Sequence, residues 1–300
     1  MMAGLQRRWS QWLTTAAVDA THNLCVSWRD PTGQVPGYLY EEATAWALLI
    51  PAFAKTHREV ASALRSISIQ RGLARDGRTY LFDTGVGLAA ALALDDDAWA
   101  HRLLESIKPM IGARVGVSGG PRLGAEEEST RWSESFGSHL LWLLGPLDSA
   151  GRSDLGDMLV DELLRPCSRG NTLAVHAGTD RVYAHAMAYA VEGLATRKRH
   201  QALARSLTTS LLDHVRDGVV HAGLNSGPAR LDVTAQTLRL AAVLGLADRD
   251  ETEALMASLA EHTHASGGLR YEPGSDHINT WATVFALRAA RPDWKSLTER

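Results

Sequence analysis

Three hundred residues, 45% of them hydrophobic, can bury a substantial core as one large domain or two ordinary ones. A net charge of -3 leaves no long basic face to release counterions from a phosphate backbone, which excludes nucleic-acid binding of the electrostatic kind. Two cysteines are too few for a disulfide framework, and no run of about 20 apolar residues exists to span a membrane.

In chain order, Leu5, Trp9, Trp12, Leu13 and Ala16 share one face of an expected amphipathic helix over residues 5–20. Polar residues interrupt this segment, so it lacks the apolar core of a signal peptide, and with the cysteine usage this predicts a cytoplasmic protein. Gly33, Pro36 and Gly37 mark a turn. An apolar run over residues 43–53 then follows Tyr38, Tyr40, Glu41 and Glu42, and pairs with a charged helix over 57–70 as a helical hairpin. A second run, 81–94, is rich in Ala and Gly and pairs with an amphipathic stretch over 97–110. Residues 111–130 carry Gly112, Gly116, Gly119, Gly120, Pro121 and Gly124 and read as a loop, either a plain connector or a lid over a site.

The third run, 132–147, pairs with 154–164, the fourth, 182–195, with 200–215, and the fifth, 231–246, with 251–264. The sixth spans 277–290. It follows Gly268-Leu-Arg-Tyr-Glu-Pro-Gly-Ser-Asp276, where Pro273 and Gly274 end one segment and Ser275 or Asp276 can cap the next. Strand signals are thin beyond Gly218-Val-Val-His-Ala222. Run starts recur about every 40 to 50 residues, the length of one helical hairpin in a repeat architecture. Apolar runs alternating with charged ones predict an all-α, single-domain (α/α)6-type toroid over residues 1–300. Its inner ring would be buried all round and its outer ring amphipathic. An open solenoid has the same period, but the inner runs are too apolar to leave one face exposed.

Polar residues sit just before each inner run, so the toroid would gather them at one end. Asp83, at the start of an almost wholly apolar run, serves either as a helix cap or as a buried carboxylate for general acid-base work. His185, Tyr189 and Glu192 fall at i, i+4 and i+7, as do Asp232, Gln236 and Arg239. Histidine titrates near neutrality, so His185 and His277 are candidate proton carriers; as core residues they would need no such role. His277 and Trp281, with Asn279 between them, read as one helix face. Glu42 complements a helix dipole or faces a substrate, and Arg131 and Trp132 bind a polar substrate or simply neutralise nearby glutamates. Tyr38, Tyr40 and Tyr271 complete the expected substrate-contacting set. No metal and no cofactor are expected: the cysteines lack ligand spacing, Val117-Ser-Gly-Gly-Pro121 lacks the Gly-Lys-Ser/Thr of a phosphate loop, and no dinucleotide fingerprint follows a strand.

The segments Tyr80-Leu-Phe-Asp-Thr-Gly85, Ala184-His-Ala-Met-Ala-Tyr-Ala-Val-Glu-Gly-Leu194 and His277-Ile-Asn-Thr-Trp-Ala-Thr-Val-Phe-Ala286 give the chain a pattern that resembles the α/α-toroid proteins. That group includes terpene-cyclase-like proteins, lanthionine cyclases, sugar 2-epimerases and unsaturated-uronide hydrolases. The chain departs from two of its patterns. Asp95-Asp-Asp-Ala98 does not match the Asp-x-Asp-Asp of protonation-initiated terpene cyclases, and Cys167 is followed by Ser168 rather than the His of zinc lanthionine cyclases. The resemblance implies a cavity enzyme. The expected activity is metal-free ring closure of thioether type on a modified peptide, His185 and His277 transferring protons, Asp83 and Asp232 orienting or sharing them, and Tyr189 and Trp281 shaping the pocket. A precursor peptide and partner biosynthetic enzymes would then be its associates. A carbohydrate epimerase, lyase or hydrolase is the alternative, and a non-catalytic peptide- or glycan-binding toroid a third reading.

Overall fold

The structure is a computed structural model and describes residues 2–75, 77–115, 132–246 and 248–290. Helix α1 (Met2–Thr15) leads through the hairpin β1–β2 (Val18–Asp19, Leu24–Cys25) and β3 (Trp28–Arg29) to α2 (Glu41–Leu48), backed by α3 (Pro51–Thr56) and α4 (Arg58–Ser68). The hairpin β4–β5 (Ala74–Arg75, Arg78–Thr79) feeds α5 (Leu81–Ala93), backed by α6 (Asp97–Val115). A 3-10 segment, Ser138–Leu143, runs into α7 (Leu144–Ser149), with α8 (Ser153–Cys167) behind it. The hairpin β6–β7 (Ser168–Arg169, Thr172–Leu173) precedes α9 (Ala184–Ala195) and α10 (Gln201–Asp213). The sheet β8–β9–β10 (Val215–Arg216, Val219–His221, Ala229–Arg230) precedes α11 (Leu231–Leu244) and α12 (Arg249–Glu261), and β11 (Ile278–Asn279) opens α13 (Thr280–Ala289).

Burial separates the two rings. Every residue from Leu81 to Ala91 of α5 is buried, whereas α4 buries only the stripe Val60, Leu64 and Ser68. The inner elements α2, α5, the 3-10/α7 segment, α9, α11 and α13 each pack on the next, and α13 packs on both α2 and α1. The chain is therefore an all-α toroid in which α1, first in sequence, covers the last inner helix. Closure is tied by β3 pairing with β11, Trp28 opposite Asn279, and by Trp9 Nε1 donating to Thr263 Oγ1 at 2.9 Å. Among the described residues, no helix is long and apolar enough to cross a membrane.

One device repeats at the inner-helix entries. Thr44, Thr84, Thr234 and Thr283 each lie four residues after the residue preceding the helix, and each hydroxyl donates to that residue's carbonyl. The same oxygen accepts a backbone N–H from the strand or turn before it, those of Cys25, Leu73, Val220 and Leu269 at 2.9 to 3.2 Å. One side chain thus ties the preceding segment to the helix and satisfies a buried donor that the short strands leave over.

The elements differ from expectation in particular places. The first inner run is not one helix: Pro51 lacks the N–H for the α-helical bond, Ile50 before it is extended, and the chain restarts as α3. The third inner run begins as 3-10 turns, a thinner helix that lets α5 and α9 approach. Glycine permits that approach, since a Cβ on Gly193 would stand 1.8 Å from the Leu141 carbonyl oxygen and one on Gly85 2.7 Å from Leu143 Cγ. The expected loop from 111 starts later, because α6 continues to Val115; residues 116–130, including the expected lid, lie outside the described residues. Neither Ser275 nor Asp276 caps the last helix. Asn279 does, its side chain accepting from Ala282 N at 3.0 Å.

Candidate functional site

The inner helices begin at the end of the toroid where the short hairpins lie, and a cavity of about 440 Å³ opens there, of a size that suits a small-molecule ligand. Every sector of the ring contributes a wall residue: Glu42 from α2, Phe82 from α5, Trp132 from the stretch before the 3-10 segment, His185 from α9, Asp232 from α11 and Trp281 from α13. Inner-helix N-termini also point their partial positive charge this way, which favours carboxylates at these positions.

The cavity brings together His185, His277, Asp232, Tyr38, Tyr40, Glu42, Trp132, Tyr189, Tyr271, Asn279 and Trp281. Asp83 and Gln236 do not line it: Asp83 is buried in the first turn of α5, and Gln236 is buried inside α11 with neither amide atom hydrogen-bonded. Arg131 lies outside the described residues. His277 and Trp281 do not share a helix face, because α13 starts only at Thr280; His277 instead stacks on Trp28, ring centroids 3.9 Å apart and planes within 10°. Trp28 and Arg230 are wall residues that the sequence pattern did not single out. Trp28 reaches the cavity through the β3–β11 pairing of the chain's two ends, for which a local pattern holds no signal, whereas Arg230, two residues before Asp232, was legible as a neighbouring opposite charge.

Aromatic faces form much of the wall. Tyr38 packs edge-on to Tyr40 at 5.3 Å and Tyr40 to Trp281 at 4.8 Å, while Tyr189 stacks on His185 at 4.5 Å. These rings present flat apolar surfaces with polar edges, the arrangement that aromatic side chains favour when half-wet. Tyr38 at the rim is 49% exposed; Tyr40 below it is 3% exposed.

The charged core of the site is Arg230, Asp232 and His185. Arg230 grips Asp232 with two hydrogen bonds, Nε to Oδ1 at 3.0 Å and Nη2 to Oδ2 at 2.6 Å, and lies 4.0 Å over the Tyr271 ring. Val233 N also donates to Oδ1 at 2.9 Å, and His185 Nδ1 stands 3.3 Å from Oδ2. Burial alone would push the Asp232 carboxyl up; Arg230 and then His185 outweigh it and hold the group below its usual range. For His185, burial outweighs the pull of Asp232 and brings the imidazole down to about 4, so at neutral pH it is uncharged. Its 3.3 Å approach to Asp232 is then that of a neutral ring, Arg230 Nη2 reaching the same Nδ1 at 3.5 Å, while Nε2 is buried without a hydrogen-bond partner. Tyr189 stays a neutral phenol, raised first by burial and then by the surrounding carboxylates.

On the opposite side of α13, Glu42 is buried against the cavity and its Oε1 accepts the Trp46 indole N–H at 2.9 Å. Glu41 points elsewhere and is structural, bonding Arg71 at 2.6 Å and accepting Ala74 N at 2.7 Å. Deeper in the barrel, Glu192 accepts from Arg239 Nη1 at 2.6 Å and from Trp142 Nε1 at 2.9 Å, with Arg288 3.6 Å away. Among the described residues no group of three or more His, Cys, Asp or Glu is placed to hold a metal ion. Cys25 is wholly buried and its thiol pushed up to about 12 by that burial, far from a reactive thiolate.

No family model matches the chain, and no curated protein matches it in sequence. Solved structures do match in three dimensions. A wild-type glycosidase aligns at a TM-score of 0.69 with 13% identity over 96% of both chains. The unsaturated glucuronyl hydrolase of Bacillus sp. GL1, described as responsible for glycosaminoglycan degradation, aligns at 0.69 with 15% identity over 97% of this chain and 96% of its own. A type II terpene cyclase from Scytonema aligns at 0.64 with 16% identity over 96% of both. At these identities the likeness is one of architecture, and it agrees with the ring traced above: the chain folds as an α/α toroid.

Proposed function

We propose that this toroid is a carbohydrate-processing enzyme that cleaves a glycosidic linkage in the central cavity by side-chain acid-base chemistry. The observation that carries the reading is that two carboxylates, Glu42 and Asp232, enter one cavity from either side of α13 while Trp28, Tyr40, Trp132 and Trp281 wall it. Sugar rings offer apolar C–H faces for stacking and hydroxyls for charged partners, so this mixture of flat rings and fixed charges suits them. Asp232, held ionised by Arg230, is the natural base or nucleophile; Glu42 is the proton donor, in the division of labour that paired carboxylates use on glycosides. Arg230 and Val233 N fix the orientation of Asp232, and neutral His185 lies beside it at 3.3 Å as a proton relay. His277, exposed on Trp28, extends the stacking surface at the rim. The glycosidases and glucuronyl hydrolase of the same architecture support this reading. An apolar polyene would have to lie against the Arg230–Asp232 pair, and ring closure on a modified peptide has no feature of the cavity that favours it over a sugar.

The test is to incubate the protein with a panel of oligosaccharides, aryl glycosides and unsaturated uronides, and separately with a dehydroamino-acid peptide bearing a free thiol, following products by mass spectrometry. Cleavage of at least one sugar linkage, reduced about 100-fold or more in Asp232→Asn, is expected. Thioether closure of the peptide with every sugar left intact would replace this reading with the peptide cyclase.

A further inference from the structure

A second cavity, of about 660 Å³, lies beside the first and is lined by Arg181, Tyr183, His214 and the turn from Ala222 to Pro228. The two share structure. Tyr183 stands two residues before His185 and Pro228 two before Arg230, so the start of α9 and the approach to α11 border both. Ala184 N donates to Ala222 O at 2.9 Å, which fastens one border to the other. Across the boundary, the Tyr183 ring stacks on Trp132, a wall residue of the central cavity, with centroids 6.2 Å apart and planes at 27°. On Tyr183 in turn rests Arg181, its Cζ 4.6 Å over the ring and its guanidinium donating to the phenol oxygen.

The facing turn is built to hold its shape. Ala222 N donates to Pro228 O and Gly223 N to Ser226 O, both at 2.9 Å, and His221 Nδ1 contacts Gly227 O at 2.9 Å. Leu224 sits in the left-handed region at φ 60° to make that turn, a conformation a non-glycine residue adopts only when its surroundings fix it. The second cavity therefore has a rigid polar wall facing an aromatic platform that continues the platform of the first.

We propose that this second cavity binds the units of an oligosaccharide next to the one held in the central cavity, its chain passing over Trp132 onto the Tyr183–Arg181 platform. The inference rests on the carbohydrate reading of the central cavity and adds to it a substrate class, oligosaccharides in preference to single sugars. Two linked subsites gain affinity because the second contact is intramolecular once the first is made.

Binding to an array of immobilised glycan series, each running from monosaccharide to hexasaccharide, tests this without relying on turnover. The wild-type protein should bind the longer members of at least one series about tenfold more tightly than its monosaccharide. Tyr183→Ala and Arg181→Ala should each flatten that gain, and Arg181→Ala, at an exposed side chain, should leave monosaccharide binding and the melting temperature unchanged. Monosaccharide binding with no gain in length, or a gain that survives both substitutions, overturns the second site and leaves the central one standing. Failure to bind any member overturns the carbohydrate reading itself, and the second site with it.

Discussion

Around His185, burial and the neighbouring charges compete, and their order sets a pH dependence. Burial lowers its pKa most, Asp232 pulls it back, and Arg230 lowers it again, leaving it at about 4 against 6.5 in the unfolded chain. Because the folded value is the lower one, the unfolded state binds the extra proton first as pH falls. Stability is then full above about 6.5 and declines towards 4, by as much as about 3 kcal/mol from this group. Denaturant melts between pH 7 and 4 should show that decline, and His185→Gln should flatten it; an unchanged slope in the variant would show that His185 is not the titrating group. Asp232 acts in a separate, more acid window, since its folded value lies below 3.8. The His185–Tyr189 face and the helix-start position of Asp232 were legible from spacing. What spacing could not reveal was that Asp232 is held ionised by Arg230, or that Asp83 and Gln236, equally plausible by pattern, are buried without lining the cavity. A helix buried on every side offers no polar stripe from which the direction of one residue could be read.

At the scale of elements, the four bracketing threonines carry a testable load. Thr234 donates to Arg230 O at 2.8 Å and accepts from Val220 N at 3.0 Å, and it lies wholly inside the protein. Thr234→Val keeps the shape and removes both bonds, leaving the buried Val220 N–H unsatisfied; a loss of roughly 1–3 kcal/mol in chemical denaturation is expected. Because the bracket also sets the entry of α11, the same variant should bind sugar more weakly. The return of Thr four residues past four of the six entries, Tyr40 to Thr44, Tyr80 to Thr84, Arg230 to Thr234 and Asn279 to Thr283, was present in the sequence as a weak repeat. The 3-10 form of the third inner element was not, because it answers to glycines 85 and 193 on neighbouring helices rather than to local propensity.

Over the whole molecule, the toroid depends on its two ends meeting. Trp9 of α1 is fully buried and hydrogen-bonded to Thr263, and Arg8 donates to His264 O at 2.7 Å, so the first helix closes the last hairpin. Trp9→Ala should cost about 3–5 kcal/mol. Hydrogen exchange should then rise together in α1 and α13, and a rise confined to α1 would mean that the ring holds without it. The six-hairpin period was legible because each inner run is apolar all round, while the closure was not, since it joins residues more than 200 positions apart. Closure also brings Trp28 and His277 into one stack and completes the mouth in which Glu42 and Asp232 meet. If Glu42 is the proton donor, the kinetics of Glu42→Gln should show it on whichever glycoside of the panel the wild-type protein turns over fastest. kcat should fall about 100-fold or more while KM changes only severalfold, and a variant that keeps kcat within about threefold of the wild type would remove Glu42 from the chemistry.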